Sequence, residues 1–412
     1  MNPLHLSGWG VKIRVKNLKS RSELVVINGR EDDRVEFSHR FRPRRFPYSS
    51  IIIDGHSGYV SLQAFHWLSK HKVPVFIMNF DGTLISSILP PMPVKADLRA
   101  AQFQAANDAK KKFTIAKALV EAKIARSLQV LDWLGERYDL QREIQVTKAE
   151  SSKLGKASTV TELRTVEGRV ARRYWQAFGK VLSEHLDFQG RMTSSHQNNA
   201  SDPVNVALNY SYGFLEGECR KAINSVGLEP SAGFLHDFSN YQTKQSLVYD
   251  LEEPFRWLVD MTVVRAFESG NLDVPHFYFT GDDYRYRFDV EAKTRFINLL
   301  REQFNSGVSY KGRDLKWDTV IEQKTIELGQ YLTGKRPSLE FGVPSPRLDR
   351  LDRYELRAKI LTLTSSEAKC LAIRRSTLHY IRRRALGNKP FKVYKPTQLR
   401  LEVIGGEGPG EL

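Results

Sequence analysis

Leu89-Pro-Pro-Met-Pro93 divides this sequence into two kinds of pattern. Each proline fixes φ and removes a backbone donor, so the run is a stiff connector. Before it the pattern is strand-like. Val11-Lys-Ile-Arg-Val15 alternates apolar and polar residues at period two, and Leu24–Ile27, Ile51–Ile53 and Val73–Ile77 are short β-branched runs. The pairs Asn28-Gly29, Asp54-Gly55 and Asp81-Gly82 read as turns between them. One helix is expected near Ser61–Lys70. Beyond the prolines nearly everything reads as helix to Gly334, starting with a long Ala/Lys/Gln-rich stretch from Asp97 to Tyr138. Thr159 with Glu162 forms a capping box for the next helix. Further helices are expected near 203–226, 246–269, 290–305 and 319–332.

A second connector, Gly334 to Pro346, carries three prolines and leads to a basic helical module. Phe391–Tyr394 and Leu399–Val403 are expected to pair as a hairpin, and the Gly-rich tail 405–412 to be disordered. The predicted division is a β-rich part at 1–92, a helical part at 93–335, a linker at 336–346, a basic module at 347–404 and the tail. The predicted fold class is α+β.

The chain has 412 residues, enough for two or three cores, and its 41% hydrophobic and 27% charged residues are those of an ordinary globular protein. No apolar run approaches the roughly 18 residues needed to span a bilayer, and the N-terminus shows no basic-then-apolar leader. Cys219 and Cys370 lie far apart without metal-ligand spacing. These features predict a cytoplasmic protein without membrane contact, disulfide framework or structural zinc. The net charge is +16. Between Arg336 and Glu402, Lys and Arg outnumber Asp and Glu by more than two to one. Such a surface favours polyanions, because DNA binding releases condensed counterions.

Several ionisable residues sit where solvated ones do not belong. Glu167 falls beside the stripe Leu163, Val170 and Tyr174. A lone buried carboxylate is costly, so it needs a cation: either a salt bridge with Arg164 or Arg172, or a bound metal. Asp250 and Glu253 share a helix face beside the stripe Leu247, Leu251, Phe255 and Leu258. That face is either solvated or holds a cation. Pro254 should delay or bend the helix there. His236 follows the apolar turn Ala232–Leu235, as a hydrogen-bonded core residue or as a ligand. Oxygen ligands with one imidazole suit Mg²⁺ or Mn²⁺ better than zinc.

At these residues the chain resembles the CRISPR adaptation integrases. Val166-Glu-Gly-Arg169 with Tyr174-Trp175 is similar to their glutamate motif, and Asp202-Pro-Val-Asn205 with Leu208–Gly213 to their central helix motif. Gly227-Leu-Glu-Pro230 through Gly233-Phe-Leu-His236 resembles their histidine motif, and Ser246–Arg256 their acidic motif. The likeness runs in order over about residues 4–334. It implies an N-terminal β-rich dimerisation domain, an all-α catalytic domain, and metal ligands at Glu167, His236 and Glu253, with Asp250 as a supporting carboxylate. It makes Arg169, Arg172 and Arg173 candidate phosphate contacts, against the alternative of a solvated helix face.

The chain departs from that family by continuing for about 75 residues. Ser365–Leu386 fits a helix-turn-helix: Ala368 and Ala372 are small where the first helix and turn need it, Leu378 and Ile381 fall where the second helix packs, and Ser376-Thr377 opens it. Arg374, Arg375, His379, Arg382 and Arg383 would face DNA. The alternative is a basic helical hairpin packed on the catalytic part. An appended DNA-reading module makes the chain resemble casposases, solo relatives that insert transposon ends. That resemblance implies attack of a terminal 3′-OH on a target phosphodiester, with Mg²⁺ or Mn²⁺ as cofactor. It also implies double-stranded transposon-end and target DNA as partners, and a homodimer that assembles further on DNA. Spacer acquisition by the same chemistry, and DNA binding with a vestigial metal site, are the competing readings.

Overall fold

The computed structural model describes residues 3–18, 21–29, 38–55, 57–79, 82–91, 95–135, 138–182, 186–188, 190–191, 202–236, 245–280, 285–343, 360–361, 363–370 and 374–386. Expectations for Met92–Pro93, the turn at Asp81, Pro344–Pro346, Ala372, the hairpin near 391–403 and the tail lie outside them. The fold is α+β. The chain separates into two compact units, Met1–Val264 with Asp273–Pro346, and Arg265–Leu272 with Arg347–Leu412.

The first 90 residues build two small sheets. In one, β1 (Leu4–Gly8), β5 (Ile51–Gly55) and β7 (Val75–Met78) run parallel and β8 (Leu84–Ile88) closes antiparallel. In the other the order is β4 (Ser38–Phe41), β3 (Arg21–Ile27), β2 (Val11–Leu18), β6 (Gly58–Val60). The alternation read in β2 buries Val11 and Ile13 and exposes Arg14. Helix α1 (Leu62–Lys70) is capped by Ser61, whose hydroxyl accepts from the Ala64 amide, and it sends Ala64, Trp67 and Leu68 into the shared core with Leu6, Leu24 and Ile51.

Asp54-Gly55 is not a turn. It ends β5, whose neighbours β1 and β7 are parallel and so reached by crossovers rather than hairpins. Asp54 is buried and accepts from Tyr210 Oη and Lys293 Nζ, both at 3.0 Å, with His5 Nε2 at 3.3 Å. This cluster joins the sheets to helices of the same unit.

The helices along residues 96–332 are α2 (Ala96–Asn107), α3 (Ala109–Leu134), α4 (Gln141–Ser151), α5 (Val160–Val181), α6 (Pro203–Val226), α7 (Ser246–Glu252), α8 (Arg256–Glu268), α9 (Val290–Asn305) and α10 (Trp317–Leu332). The stretch read as one helix from Asp97 breaks at Asp108, whose carboxylate caps α3 by accepting from Lys110 and Lys111 amides. The capping box at Thr159 and Glu162 forms as read. Asp202 and Pro203 open α6, and Gly227 ends it at φ 87°. The expectation that nearly everything beyond the prolines is helix passed over two hairpins, which lie between the expected helices. Antiparallel pairs β9 (Phe277–Thr280) with β10 (Arg285–Phe288), and β11 (Gly307–Tyr310) with β12 (Arg313–Lys316), intervene. The second turns at Lys311-Gly312, both with positive φ, as a tight hairpin demands.

Two glycines set a close approach. A Cβ on Gly213 of α6 would lie 2.2 Å from the Gly82 carbonyl oxygen, and one on Gly82 would lie 2.3 Å from Tyr210 Cα. The second unit contains the helices Ser365–Cys370 and Arg375–Leu386, with Ala368, Leu378 and Ile381 buried. Among the described residues no helix is long and apolar enough to cross a membrane.

Candidate functional site

Helix α5 buries Leu163, Val166, Val170, Tyr174 and Phe178. Glu167 stands at the edge of that stripe, its side chain 20% exposed, facing α3. There it meets Lys123, a cation the sequence reading missed. Lys123 Nζ donates to Glu167 Oε1 and lies 2.7 Å from Glu253 Oε2. The partner of Glu167 is therefore Lys123 rather than the neighbours Arg164 or Arg172. Arg164 Nε donates instead to the Leu235 carbonyl at 2.7 Å, and Arg172 is exposed.

Glu253 reaches this point because Pro254 cannot continue the α-helical ladder. Helix α7 tightens into a 3-10 turn over Glu253–Phe255 before α8 begins, as the proline implied. The Glu253 carboxylate is buried at 4% exposure and also lies 3.2 Å from Arg256 Nε. Burial pushes it up, but Arg256 and then Lys123 outweigh that and hold it at about 2. Its Oε2 stands within ion-pair distance of both cations yet accepts no well-formed hydrogen bond. The neighbouring Glu252 behaves oppositely: burial outweighs Arg256, and its carboxyl is pushed well above the usual range.

His236 is placed by Asp250. The Phe234 and Leu235 amides donate to Asp250 Oδ2, while the His236 amide and Nδ1 meet Oδ1 at 2.9 and 2.7 Å. One fully buried carboxylate thus holds three successive backbone N–H groups and the ring. Gly233 permits it: a Cβ there would lie 2.9 Å from Asp250 Oδ2 and 2.7 Å from Ser246 Cβ. With Nδ1 committed to a carboxylate, Nε2 is the ring nitrogen left to meet a ligand. It faces Glu253 Oε1 at 4.0 Å, and the ring is 38% exposed.

The structure therefore gathers Glu167, His236, Asp250 and Glu253, and neither Asp250 nor Glu253 lies on a solvated face. Asp250 spends both oxygens on the His236 loop. Glu167, Glu253 and His236 Nε2 are the groups left to hold a ligand. Among the described residues, however, no three carboxylate, imidazole or thiol groups stand close enough for one metal ion to bind them all. The Lys123 ammonium lies between the two glutamates. Arg169, Arg172 and Arg173 are exposed on the outer side of α5, and Arg173 donates to Gln176 at 3.2 Å. In the second unit Arg374, Arg375, His379 and Arg383 are exposed, while Arg382 Nε donates to the Ile360 carbonyl at 3.0 Å.

Behind Arg256 lies a buried network that the sequence reading also missed. Asp260 of α8 accepts from Tyr174 Oη at 2.9 Å and Tyr212 Oη at 2.6 Å, joining α5 and α6. The Tyr212 ring carries Arg256 at 4.9 Å and Arg191 at 5.3 Å from its centroid. Arg191 Nη1 also donates to Asn205 and Asn209. Burial pushes the Asp260 carboxyl up to about 6 against the two tyrosine hydrogen bonds.

The model of the family CRISPR associated protein Cas1 matches residues 16–302. The chain belongs to the Cas1 family. Over 357 residues it is 29% identical to the CRISPR-associated endonuclease Cas1 1 of Archaeoglobus fulgidus, covering 81% of this chain and 97% of that one. A casposase solved bound to its integration product is 36% identical, with a TM-score of 0.78 over 88% of this chain and 99% of the casposase. A Cas1 protein from Thermotoga maritima, 16% identical, shares the fold at a TM-score of 0.66 over 84% of this chain and all of its own.

Proposed function

We propose that this Cas1-family chain is a divalent-metal-dependent DNA integrase of the casposase kind, joining a 3′-OH end to a target phosphodiester by transesterification. The observation that carries the reading is that Glu167 and Glu253, from separate segments, meet at one cation while His236 Nε2, its ring fixed by Asp250, lies 4.0 Å from Glu253 Oε1. The donor set, two carboxylates and one imidazole nitrogen, suits Mg²⁺ or Mn²⁺. The buried Glu253 carboxylate already faces cations, with Lys123 Nζ at 2.7 Å and Arg256 Nε at 3.2 Å from Oε2, a setting that suits a bound cation. When bound, the ion would polarise the phosphodiester and lower the pKa of the attacking hydroxyl. The chain's own residues orient the rest: Asp250 keeps Nε2 directed inward, and Arg256 holds Glu253 ionised. Similarity to the casposase bound to its product supports integration.

The exposed Arg374, Arg375, His379 and Arg383, with Arg382 beside them, form the DNA-facing side of a helix-turn-helix that reads transposon ends. Arg169, Arg172 and Arg173 contact phosphates. The duplex partners are transposon end and target, engaged by a homodimer through the β-rich part and by higher oligomers on DNA.

A second reading, spacer acquisition for a CRISPR array, is favoured by the likeness to the Archaeoglobus endonuclease. Incubation with Mn²⁺, a plasmid and a short duplex carrying an inverted-repeat end tests the chemistry. Joined product is expected. Glu167→Ala or His236→Ala should abolish it and leave duplex binding within a few fold. No joining by the wild type, or equal loss of binding in the variants, would overturn the catalytic assignment. Removing residues 347–412 should weaken end-sequence choice more than joining itself; unchanged choice defeats the reading-module assignment.

A further inference from the structure

Lys123 sits where its helix gives no reason for an ammonium. Its neighbours on α3, Leu119, Val120, Ala122 and Ile124, are all buried. A lysine among them must run its stem along apolar surface and send its charge to a specific partner. Among the described residues its partners are Glu167 and Glu253, and its own side chain is 17% exposed. Arg256 differs, since it is also held by Glu252 at 3.5 Å and by the Tyr212 ring. One cation at the site is therefore anchored elsewhere, and the other is held, among the described residues, by the two carboxylates.

An ion bound to both glutamates needs oxygen contacts of about 2.0–2.2 Å. An ion using Glu167 Oε1 and Glu253 Oε2 would meet Lys123 Nζ, which contacts both oxygens. Two cations sharing two carboxylate oxygens at such a distance repel strongly. The absence, among the described residues, of three converging ligands is then explained: the ammonium holds Glu167 and Glu253 in a cation-occupied arrangement of its own.

We propose that Lys123 is an internal counter-ion that competes with the divalent metal for Glu167 and Glu253, so that metal loads only as the Lys123 side chain withdraws. The proposal rests on the metal reading given above. It assigns Lys123 a positioning role: the lysine sets the occupancy of the site and keeps two buried carboxylates compensated when no metal is bound. A protein with this device tolerates the metal-free state without two uncompensated carboxylates, and it binds metal more weakly than the same ligands would alone.

The test is Mn²⁺ binding to the full-length protein, followed by the loss of the free-ion electron paramagnetic resonance signal. Lys123→Met removes the competing charge and keeps the apolar stem, and should tighten Mn²⁺ binding roughly tenfold or more, as expected when one partner of a buried ion pair is removed. Lys123→Arg keeps the charge and should stay near the wild-type affinity, which a merely structural role for the stem does not require. In the wild type, Lys123 should become more reactive toward an acetylating reagent on Mn²⁺ saturation, read by peptide mass spectrometry. That measurement needs no variant to fold. Equal or weaker binding by Lys123→Met, or no change in Lys123 labelling, overturns the competition. Failure of wild type and variants alike to bind Mn²⁺ at millimolar concentration instead overturns the metal site itself.

Discussion

Asp260 makes the stability of the fold depend on pH in a direction opposite to that of most acidic residues. Its carboxyl is raised from 3.8 to about 6, because burial in α8 outweighs the hydrogen bonds from Tyr212 and Tyr174. Between those values the folded chain keeps a proton that the unfolded chain has released. Folding therefore takes up a proton in this window, and the stability contributed by Asp260 is full below about pH 4 and lost as pH rises through 6. Two units at about 1.4 kcal/mol each make the loss roughly 3 kcal/mol. Asp260→Asn cannot titrate, and its amide oxygen still accepts from one tyrosine. Urea unfolding of wild type and variant should be compared in steps from pH 4 to pH 7.5. The variant is expected to start less stable by about 1 kcal/mol, the typical net cost of one impaired hydrogen bond. It should then gain on the wild type as pH rises, the gap changing by roughly 3 kcal/mol in all. The remaining groups titrate in both proteins and cancel in the difference. Parallel stability profiles over that range would refute the reasoning, because they would mean that Asp260 ionises in the fold as it does in the open chain.

Gly213→Ala should lower the stability of the protein by about 1–3 kcal/mol, since the new methyl group would meet the Gly82 carbonyl oxygen at 2.2 Å. Gly179→Ala in α5, whose methyl would meet nothing nearer than 3.6 Å, should instead stabilise by about 0.5–1 kcal/mol. Thermal melts of the two variants moving in the same direction would sink the packing argument. Asp250→Asn turns an acceptor of four hydrogen bonds into a group that presents an amide donor to backbone N–H groups. It should cost about 2–5 kcal/mol through the donors left unpaired and abolish joining; a wild-type melting temperature would show that the His236 loop does not depend on it.

The change from strands to helices after Pro90-Pro91 could be read because proline acts locally, and so could Thr159 with Glu162 and the bend at Pro254, whose causes lie within four residues of their effects. The hairpins β9–β10 and β11–β12 escaped because each strand is only four residues long, too short for its alternation to stand out, and only the pairing of Tyr286 with Phe279 or Tyr310 with Arg313 reveals them. Asp54-Gly55 misled for a related reason: the dipeptide reads as a turn until the strands on either side of β5 prove parallel.

The site shows the same boundary within one cluster. Glu167 was visible because an ionised carboxylate beside an apolar stripe violates a local rule, whatever it touches. Lys123 violates the same rule on α3, but lysine is a good helix former with a stem long enough to escape a core, so its position carries little surprise by itself. Its meaning comes from a partner 44 residues away and from Glu253, on a different helix again. A reading of the chain finds the charges that need compensation. It does not find which cation compensates them, because a metal ion and a buried ammonium satisfy the same two carboxylates, and only the three-dimensional arrangement shows that here the ammonium already stands between them.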